Sequence, residues 1–243
     1  MPIEINNSYD FKEYKIDYSN WREELSRLKI FNDKKIQEKY LDTWMEVLRK
    51  SDNASVEFFS KPKNKLLAIK ERNEAPEIYQ QTIVYNSNTV YVHFRVSRIL
   101  QVIEGNGGNE KHIQKIDLKK FIEKKSIDWT ETDIYSDVKD TPILLVPFNI
   151  GQYIQSVVID GNHRITAAIM NKKREIEGIY LNPQSIVENN LFCSDFDKLM
   201  YVFHNELIWV GSNCILEKNN HDDIEILKNT YFMSGKVNIW GQS

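Results

Sequence analysis

The segment that most constrains how this chain can fold is SVVIDGNHRITAAI, residues 156–169. Its β-branched first half favours a strand, which leads directly into the Asp-Gly-Asn-His-Arg turn of residues 160–164. Gly161 permits a tight turn here, and the small side chains of Ala167 and Ala168 allow the helix that follows to lie close to a sheet. The segment therefore predicts a strand, a turn and a helix in immediate succession, within a chain of the α/β (or α+β) class.

The composition is that of a globular chain. The 243 residues, of which 41% are hydrophobic and 12% aromatic, are enough to bury a core without metal or disulfide staples. No apolar run approaches the roughly 18 residues of a membrane span, and the N-terminal residues lack the basic and apolar regions of a secretory signal. Cys193 and Cys214 have no metal-ligand spacing. We therefore expect a cytoplasmic protein with no membrane partner.

Helices and strands are both predicted in the N-terminal region. One helix is expected from Trp21 to about Lys29 with Asn20 as its cap, and a second opens at Asn32 with an apolar stripe. After residues 51–53 the hydrophobic period becomes typical of strands. Strands are predicted in segments 55–59, 66–70, 80–85 and 89–96, with a hairpin around 78–97.

Around the turn at 160–164, helices and strands alternate. The predicted order is a helix at Asp117–Lys125, strands at Ile143–Phe148 and Tyr153–Ile159, a helix at about Arg164–Asn171 and a strand at Glu175–Leu181. Further helices are predicted at 184–190, 194–206 and 222–230. The chain then divides into an N-terminal helix-and-strand region (1–88), a mixed-sheet core (89–183) and a helical C-terminal region (184–243), with both outer regions packing on the core.

The start of the predicted helix after Gly161 has the features of an anion site. The first N–H groups of a helix have no partner within it, and the helix dipole is positive at that end. His163 and Arg164 add donors beside these groups, and a guanidinium can hold a phosphate through two parallel hydrogen bonds. Asp160 can cap the helix, hold the histidine or bind a metal ion. These coinciding features favour a phosphate or carboxylate site over an ordinary surface turn.

Residues 115–182 carry an Ile-Asp-Leu helix start, a Pro-Ile strand (141–144), a hairpin, and then the strand, the DGNHR turn and the helix. In this order they resemble the ParB/sulfiredoxin superfamily, whose members place a DGxHR-type signature at this position. The resemblance implies a small mixed sheet-and-helix core. By position, it also implies that Gly161, His163 and Arg164 contact nucleotide phosphates, with Asp160 and Asn162 beside them.

The resemblance also implies what chemistry would follow binding. ATP or CTP with Mg²⁺ would be the ligand, and the activity would be that of a kinase or an NTPase. His163 and Arg164 would stabilise the charge that develops on the transferred group, and Asp160 is a candidate Mg²⁺ ligand. Glu104 and Glu110 are the nearest candidates for a kinase-like base, and the stretch Asn109–Lys115 corresponds to a second phosphate-contacting segment.

The chain departs from the superfamily in two ways. Sulfiredoxins need a cysteine inside the signature, where this chain has Asn162, so sulfinic-acid repair is not expected. The residues after Pro183 are too few and too weakly basic for both a helix-turn-helix and a dimerisation region. A centromere-binding clamp is therefore disfavoured.

Two alternatives to nucleotide binding stay open. The net charge of −3 argues mildly against a nucleic-acid binder, but one basic stretch is present: Lys111, His112, Lys115, Lys119, Lys120, Lys124 and Lys125. Three acids interrupt it, which favours a solvated helix face. The alternatives are a DNA-associated nuclease or regulator that uses this stretch, and a non-catalytic interaction module with an exposed aromatic patch in the C-terminal region.

Three other features are ambiguous in the sequence. The loop 104–109 is glycine-rich without the Lys-Ser/Thr of a P-loop, which favours a flexible connection over a lid. Arg95 and Arg98 lie on or just after the strand VHFRVSRI, which by the resemblance would run beside the signature strand. We expect Arg95 and Arg98 to lie on the polar face of an edge strand rather than to line a pocket. The aromatic residues Phe192, Phe196, Tyr201, Phe203 and Trp209 favour a core over a base-stacking platform.

Overall fold

The computed structural model describes residues 3–5, 11–61, 63–64, 77–86, 88–105, 113–133, 141–150, 154–216 and 222–239. The chain divides into two compact units. The first unit comprises Met1–Arg95 and Phe192–Asn238, and the second comprises Val96–Leu191 and Ile239–Ser243. In sequence, the second unit therefore interrupts the first.

The first unit consists of two short antiparallel strand pairs and a set of helices. Its elements in chain order are β1 (Ile3–Ile5), β2 (Phe11–Glu13), α1 (Tyr18–Ser26), α2 (Lys34–Ser60), β3 (Tyr79–Tyr85), β4 (Asn88–Phe94), α7 (Asp195–Leu216), α8 (Asp223–Asn229) and α9 (Tyr231–Ser234).

Aspartates cap the first two helices. The Asp17 carboxylate accepts hydrogen bonds from the backbone N–H groups of Ser19 (3.1 Å) and Asn20 (3.0 Å), so α1 begins three residues before the predicted start at Trp21. Asn20, the predicted cap, lies inside the helix. Asp33 caps α2 by accepting from the backbone N–H of Lys35 at 2.7 Å, close to the predicted opening at Asn32.

Helix α2 runs through segment 55–59, so the strand predicted there is wrong. Residues 51–53 resemble a turn in the sequence but lie within α2. There, Asp52 is buried and accepts a hydrogen bond from the Tyr18 hydroxyl of α1 at 3.0 Å. Within the helix, Ser55 Oγ donates to the Ser51 carbonyl at 3.0 Å. The strand predicted at 66–70 lies outside the described residues.

The hairpin predicted around residues 78–97 is confirmed. β3 and β4 pair antiparallel from Tyr79 opposite Phe94 to Tyr85 opposite Asn88, and they form a two-stranded sheet of their own. β4 therefore does not run beside the signature strand, and that expectation is wrong. The chain turns into a helix after Arg95, because Val96, Ile99 and further apolar residues recur at helical spacing. Arg98 is thus helical and hydrogen-bonds Gln101 at 3.1 Å.

Aromatic side chains form much of the first unit's core. Phe203 of α7 packs against Trp21 and Trp44, with ring centroids 5.7 and 5.1 Å apart. Phe192, Phe196 and Tyr201 are also buried, which confirms the core interpretation for these residues, while Trp209 is only half-buried.

A buried carboxylate ties three helices of the first unit together. Glu206 of α7 accepts from the Tyr40 hydroxyl at 2.9 Å and from Trp44 Nε1 at 3.0 Å, both on α2. Its other oxygen accepts from the backbone N–H of Tyr231, the first residue of α9. Burial raises the pKa of Glu206, although these hydrogen bonds act in the opposite direction.

The second unit is a mixed sheet with helices. Its elements in chain order are α3 (Val96–Gly105), β5 (Ile113–Asp117), α4 (Leu118–Lys124), β6 (Ile127–Asp128), β7 (Ile143–Ile150), β8 (Ile154–Asp160), α5 (Asn162–Met170), β9 (Glu175–Tyr180) and α6 (Pro183–Glu188).

The five strands of this unit have the order β5-β9-β7-β8-β6. β9 and β7 are parallel, as are β8 and β6, whereas β5–β9 and β7–β8 are antiparallel. The strands predicted near 143–148, 153–159 and 175–181 and the helices predicted near 117–125 and 164–171 correspond to β7, β8, β9, α4 and α5. The α/β class predicted from the sequence is confirmed.

The core of the second unit lies between the sheet and helices α4 and α5. It contains Leu118 and Phe121 of α4, Ile165 and Ala168 of α5, and the strand residues Ile116, Ile127, Ile143, Leu145 and Val158. Ala168 is buried, as the predicted close approach of helix to sheet requires.

The unit boundaries differ from the three regions drawn from the sequence. The boundary at residue 88 falls inside the β3–β4 hairpin, which belongs wholly to the first unit because its strands are hydrogen-bonded along their length. Most of the N-terminal and C-terminal regions drawn from the sequence lies together in the first unit, through contacts such as those of Glu206 with α2.

Candidate functional site

The DGNHR turn connects a central strand to a helix, as predicted. β8 ends at Asp160, Gly161 has a φ of +94°, and α5 begins at Asn162. The Gly161 carbonyl already accepts the first helical hydrogen bond, from the N–H of Ile165 at 3.0 Å. Gly161 therefore acts as the N-cap in a conformation that residues with a side chain rarely adopt.

No side chain caps the start of α5. The helices that begin after Asp17, Asp33 and Asp117 each have an aspartate that accepts from their first-turn N–H groups. At α5 the N-cap is glycine, which has no acceptor to offer. A Cβ at this position would lie 2.6 Å from Ile143 Cγ2 and 2.9 Å from Arg164 Nε, so the space beneath the turn is filled.

Arg164 is held by the strands of its own unit. Its Nη2 donates to Asp160 at 2.7 Å, and its Nη1 donates to the carbonyls of Thr141 and Pro142, both at 2.8 Å, and to the Thr141 hydroxyl. The side chain is only 14% exposed. The guanidinium thus fastens the start of β7 to the end of β8 and the first turn of α5.

This contact changes the roles predicted for two residues. Asp160 does not cap α5; its carboxylate is the ion-pair partner of Arg164. Of the five N–H groups of Arg164, the one on Nε and one on Nη2 have no hydrogen-bond partner among the described residues. Those two groups are what the guanidinium can still offer to a ligand.

Asn162 and His163 contact the segment that follows β6. Asn162 Oδ1 accepts from the backbone N–H of Thr130 at 2.9 Å, and its Nδ2 lies 3.4 Å from the Val158 carbonyl. His163 is exposed, and its Nδ1 is 3.2 Å from the Asp133 carbonyl, which requires that nitrogen to carry the proton. The Nε2 atom of that tautomer is an acceptor until the ring takes a second proton.

Residues 129–133 lie beside the start of α5, and they were not predicted as part of the candidate site. Trp129 packs on Phe121, with ring centroids 5.1 Å apart. Trp129 Nε1 and Thr132 Oγ1 are buried atoms with no hydrogen-bond partner in the part of the chain that the structure describes. The available signal was a lone tryptophan in a polar stretch, two positions after Ile127. Nearby, burial raises the pKa of Asp128.

Within the described residues, no three His, Cys, Asp or Glu side chains are grouped as a metal site. The Asp160 carboxylate, the predicted Mg²⁺ ligand, forms an ion pair with Arg164, and its role toward Mg²⁺ stays a prediction.

Among the described residues, Glu104 and residues 113–115 form no hydrogen bond or ion pair with the turn. Of the stretch Asn109–Lys115, the described residues from Ile113 onward belong to β5, an edge strand three positions from β8 and so roughly 14 Å away across the sheet. Glu104 is an exposed residue at the end of α3. Glu110, most of the loop 104–109 and the basic residues Lys111 and His112 lie outside the described residues.

The described chain thus belongs to the mixed α/β class, and its most distinctive local feature is an uncapped helix that starts at a glycine turn. The chain matches no protein-family model, no curated protein and no solved structure. Among the described helices, none has both the length and the apolar character needed to cross a membrane.

Proposed function

We propose that this protein binds a nucleoside di- or triphosphate, with the phosphates at the start of α5. The observation that carries the proposal is the Gly161 N-cap, which leaves the first turn of α5 without a side-chain acceptor. Backbone N–H groups and the positive end of a helix dipole favour an anion at such a position. The ParB/sulfiredoxin-like signature at residues 160–164 supports the same ligand class.

The contacts of the turn support different roles for its residues: His163 and Arg164 would bind the phosphates, and Asp160 and Asn162 would position their surroundings. His163 is exposed at the first turn, and with both ring nitrogens protonated its Nε2–H would donate to a phosphate oxygen while its Nδ1–H donates to the Asp133 carbonyl. Arg164 supplies its two remaining N–H groups from a fixed position, because strands β7 and β8 hold the rest of the guanidinium. Asp160 holds Arg164 in place, and Asn162 holds residues 129–133 alongside.

A reaction at this site would be phosphoryl transfer or nucleotide hydrolysis with ATP or CTP. His163 and Arg164 would stabilise the negative charge that develops on the transferred group, which is the larger part of catalysis in such reactions. The two side chains act from a rigid frame, so little reorganisation is needed when that charge appears. If the protein binds the nucleotide without catalysing a reaction, the same contacts would hold the phosphates.

The test is a thermal-shift panel of ATP, ADP, CTP and GTP with Mg²⁺. A nucleotide at about 100 times its Kd adds about 2.7 kcal/mol to apparent stability. We expect one nucleotide to stabilise the parent and His163→Ala to lose most of that shift without a change in the ligand-free transition. The matched control is Lys119→Ala, another exposed first-turn residue on a helix that Asp117 already caps.

Arg164→Ala is expected to lose the shift as well. It also removes the contacts with Asp160, Thr141 and Pro142, so its ligand-free protein unfolds at a lower temperature than the parent. A flat panel at millimolar nucleotide for the parent, or equal shifts for the parent and His163→Ala, would overturn the proposal.

A further inference from the structure

Two segments of the second unit that are rich in exposed cations lie next to each other in the fold. Helix α4 and the turn between α5 and β9 are joined, because the N–H of Leu118 donates to the Arg174 carbonyl at 2.9 Å. Strand pairing of Asp117 with Glu175 places the same two segments side by side. The sequence separates the bonded residues Leu118 and Arg174 by 56 positions, so only the fold shows that these charges lie side by side.

This surface, called the α4–β9 surface below, carries twice as many cations as carboxylates. Its exposed cations are Lys115, Lys119, Lys120, Lys124, Lys125, Lys172, Lys173 and Arg174. Its carboxylates are Asp117, Glu123, Glu175 and Glu177. The whole chain has a net charge of −3, so this excess is a local concentration of positive charge on an acidic protein.

The carboxylates neutralise only part of that charge. Lys115 lies 3.8 Å from Glu175, and Lys119 lies 3.9 Å from Glu123; both are long, exposed ion pairs. The Asp117 carboxylate caps α4, and its pKa is lowered first by the hydrogen bond from the Lys120 N–H and then by the charges of Lys120 and Arg174. The other cations, Lys124, Lys125, Lys172 and Lys173, form no ion pair among the described residues.

We propose that the α4–β9 surface binds the sugar-phosphate backbone of a nucleic-acid duplex. The charges extend along α4, whose seven residues span about 10 Å, a length that covers about three phosphates of one strand at 3.4 Å per step. An anionic membrane is a poorer fit, because Leu118 and Phe121 are buried in the core and only Ile122 of α4 is a large exposed apolar residue. This surface is separate from the nucleotide site proposed at α5, and it does not depend on it.

The test is fluorescence anisotropy with a labelled DNA duplex, titrated at several salt concentrations. Each phosphate contact contributes about −0.9 to the slope of log K against log salt. We therefore expect Lys172→Gln/Lys173→Gln to flatten the slope by about 1.8 relative to the parent. Lys172→Arg/Lys173→Arg should restore it, because the charges return.

The matched control is Lys35→Gln/Lys39→Gln, which removes two exposed lysines from α2 in the first unit. It should leave the slope unchanged. An RNA duplex in place of DNA distinguishes which nucleic acid is preferred, and binding to either one with the expected change in slope supports the proposal.

Three results would overturn it: no duplex binding at low salt, equal slopes for the Lys172/Lys173 variant and the control, or binding to anionic phospholipid vesicles but to neither duplex. The nucleotide panel run on Lys172→Gln/Lys173→Gln separates the two sites, since its shift with nucleotide should equal that of the parent. A change in that shift would show that the two sites are not independent.

Discussion

Replacement of Gly161 by alanine tests whether the turn has the geometry on which the candidate site depends. The new Cβ would meet Ile143 Cγ2 at 2.6 Å, Arg164 Nε at 2.9 Å and Arg164 Nη2 at 3.0 Å. Ile143 is fully buried and the guanidinium is fixed by its hydrogen bonds, so neither neighbour can move without loss of its own contacts.

Two effects add at this position, and each has its own magnitude. A non-glycine residue in the left-handed region costs about 1–2 kcal/mol, and overpacking a filled core costs about 1–3 kcal/mol. We therefore expect Gly161→Ala to lower the free energy of unfolding by roughly 2–5 kcal/mol.

Two other glycines separate these effects. Gly235 has a φ of +70° and open space where its Cβ would lie, so Gly235→Ala should show the backbone cost alone. Gly178 lacks a positive φ, but its Cβ would meet the side chains of Ile116 and Leu145, so Gly178→Ala should show the steric cost alone. All three variants are compared with the parent by urea unfolding, followed by circular dichroism and tryptophan fluorescence.

The result that would refute this reasoning is a Gly161→Ala protein no less stable than the Gly235→Ala protein. In that case the close contacts with Ile143 and Arg164 would not exist in solution. The rigid frame assigned to Arg164 would then have no support.

Three further predictions concern other parts of the fold. Asp17→Ala should lower stability by about 1 kcal/mol, because the first-turn N–H groups of α1 lose their acceptor; Asp17→Asn, which keeps an acceptor, should lose less in the same urea titration. Lys125→Gly should raise stability by about 0.5–1 kcal/mol, because Lys125 ends α4 at a φ of +49° that glycine adopts without steric cost; an unchanged midpoint would contradict this. Glu206 has a raised pKa in the folded state, so the native protein binds more protons than the unfolded chain between the ordinary glutamate pKa and the raised value. Stability should therefore fall as pH rises through that window, and Glu206→Gln should lack that part of the pH dependence when unfolding is measured across it.

Local patterns predicted the elements around the candidate site well. The strand, turn and helix at 154–170 were predictable because β-branched residues, a single glycine and small helix formers follow one another without interruption. The β3–β4 hairpin was predictable because two runs of β-branched and aromatic residues flank the polar turn residues 86–88. In both cases the information lies within about fifteen residues of sequence.

Features that depend on distant residues were not predictable. From the sequence alone, Asp52 resembles a turn residue. Its place within a helix is explained by the hydrogen bond from the Tyr18 hydroxyl, 34 positions away. β5 was missed because its apolar residues are few, and its strand pairing with β9 is what defines it. Arg164 was expected to face a ligand, and the acceptors that hold it, Thr141 and Pro142, lie more than twenty positions earlier.

The interrupted sequence of the first unit sets an order of events during synthesis. Trp44 of α2 cannot reach its partner Glu206 until 162 further positions have been added, a delay of roughly 10–30 s at about 5–20 residues per second. The second unit's sheet needs nothing beyond Tyr180 and is complete earlier. On the ribosome, the sheet of the second unit can therefore form before Trp44 meets Glu206, and the apolar face of α2 stays without that partner until then.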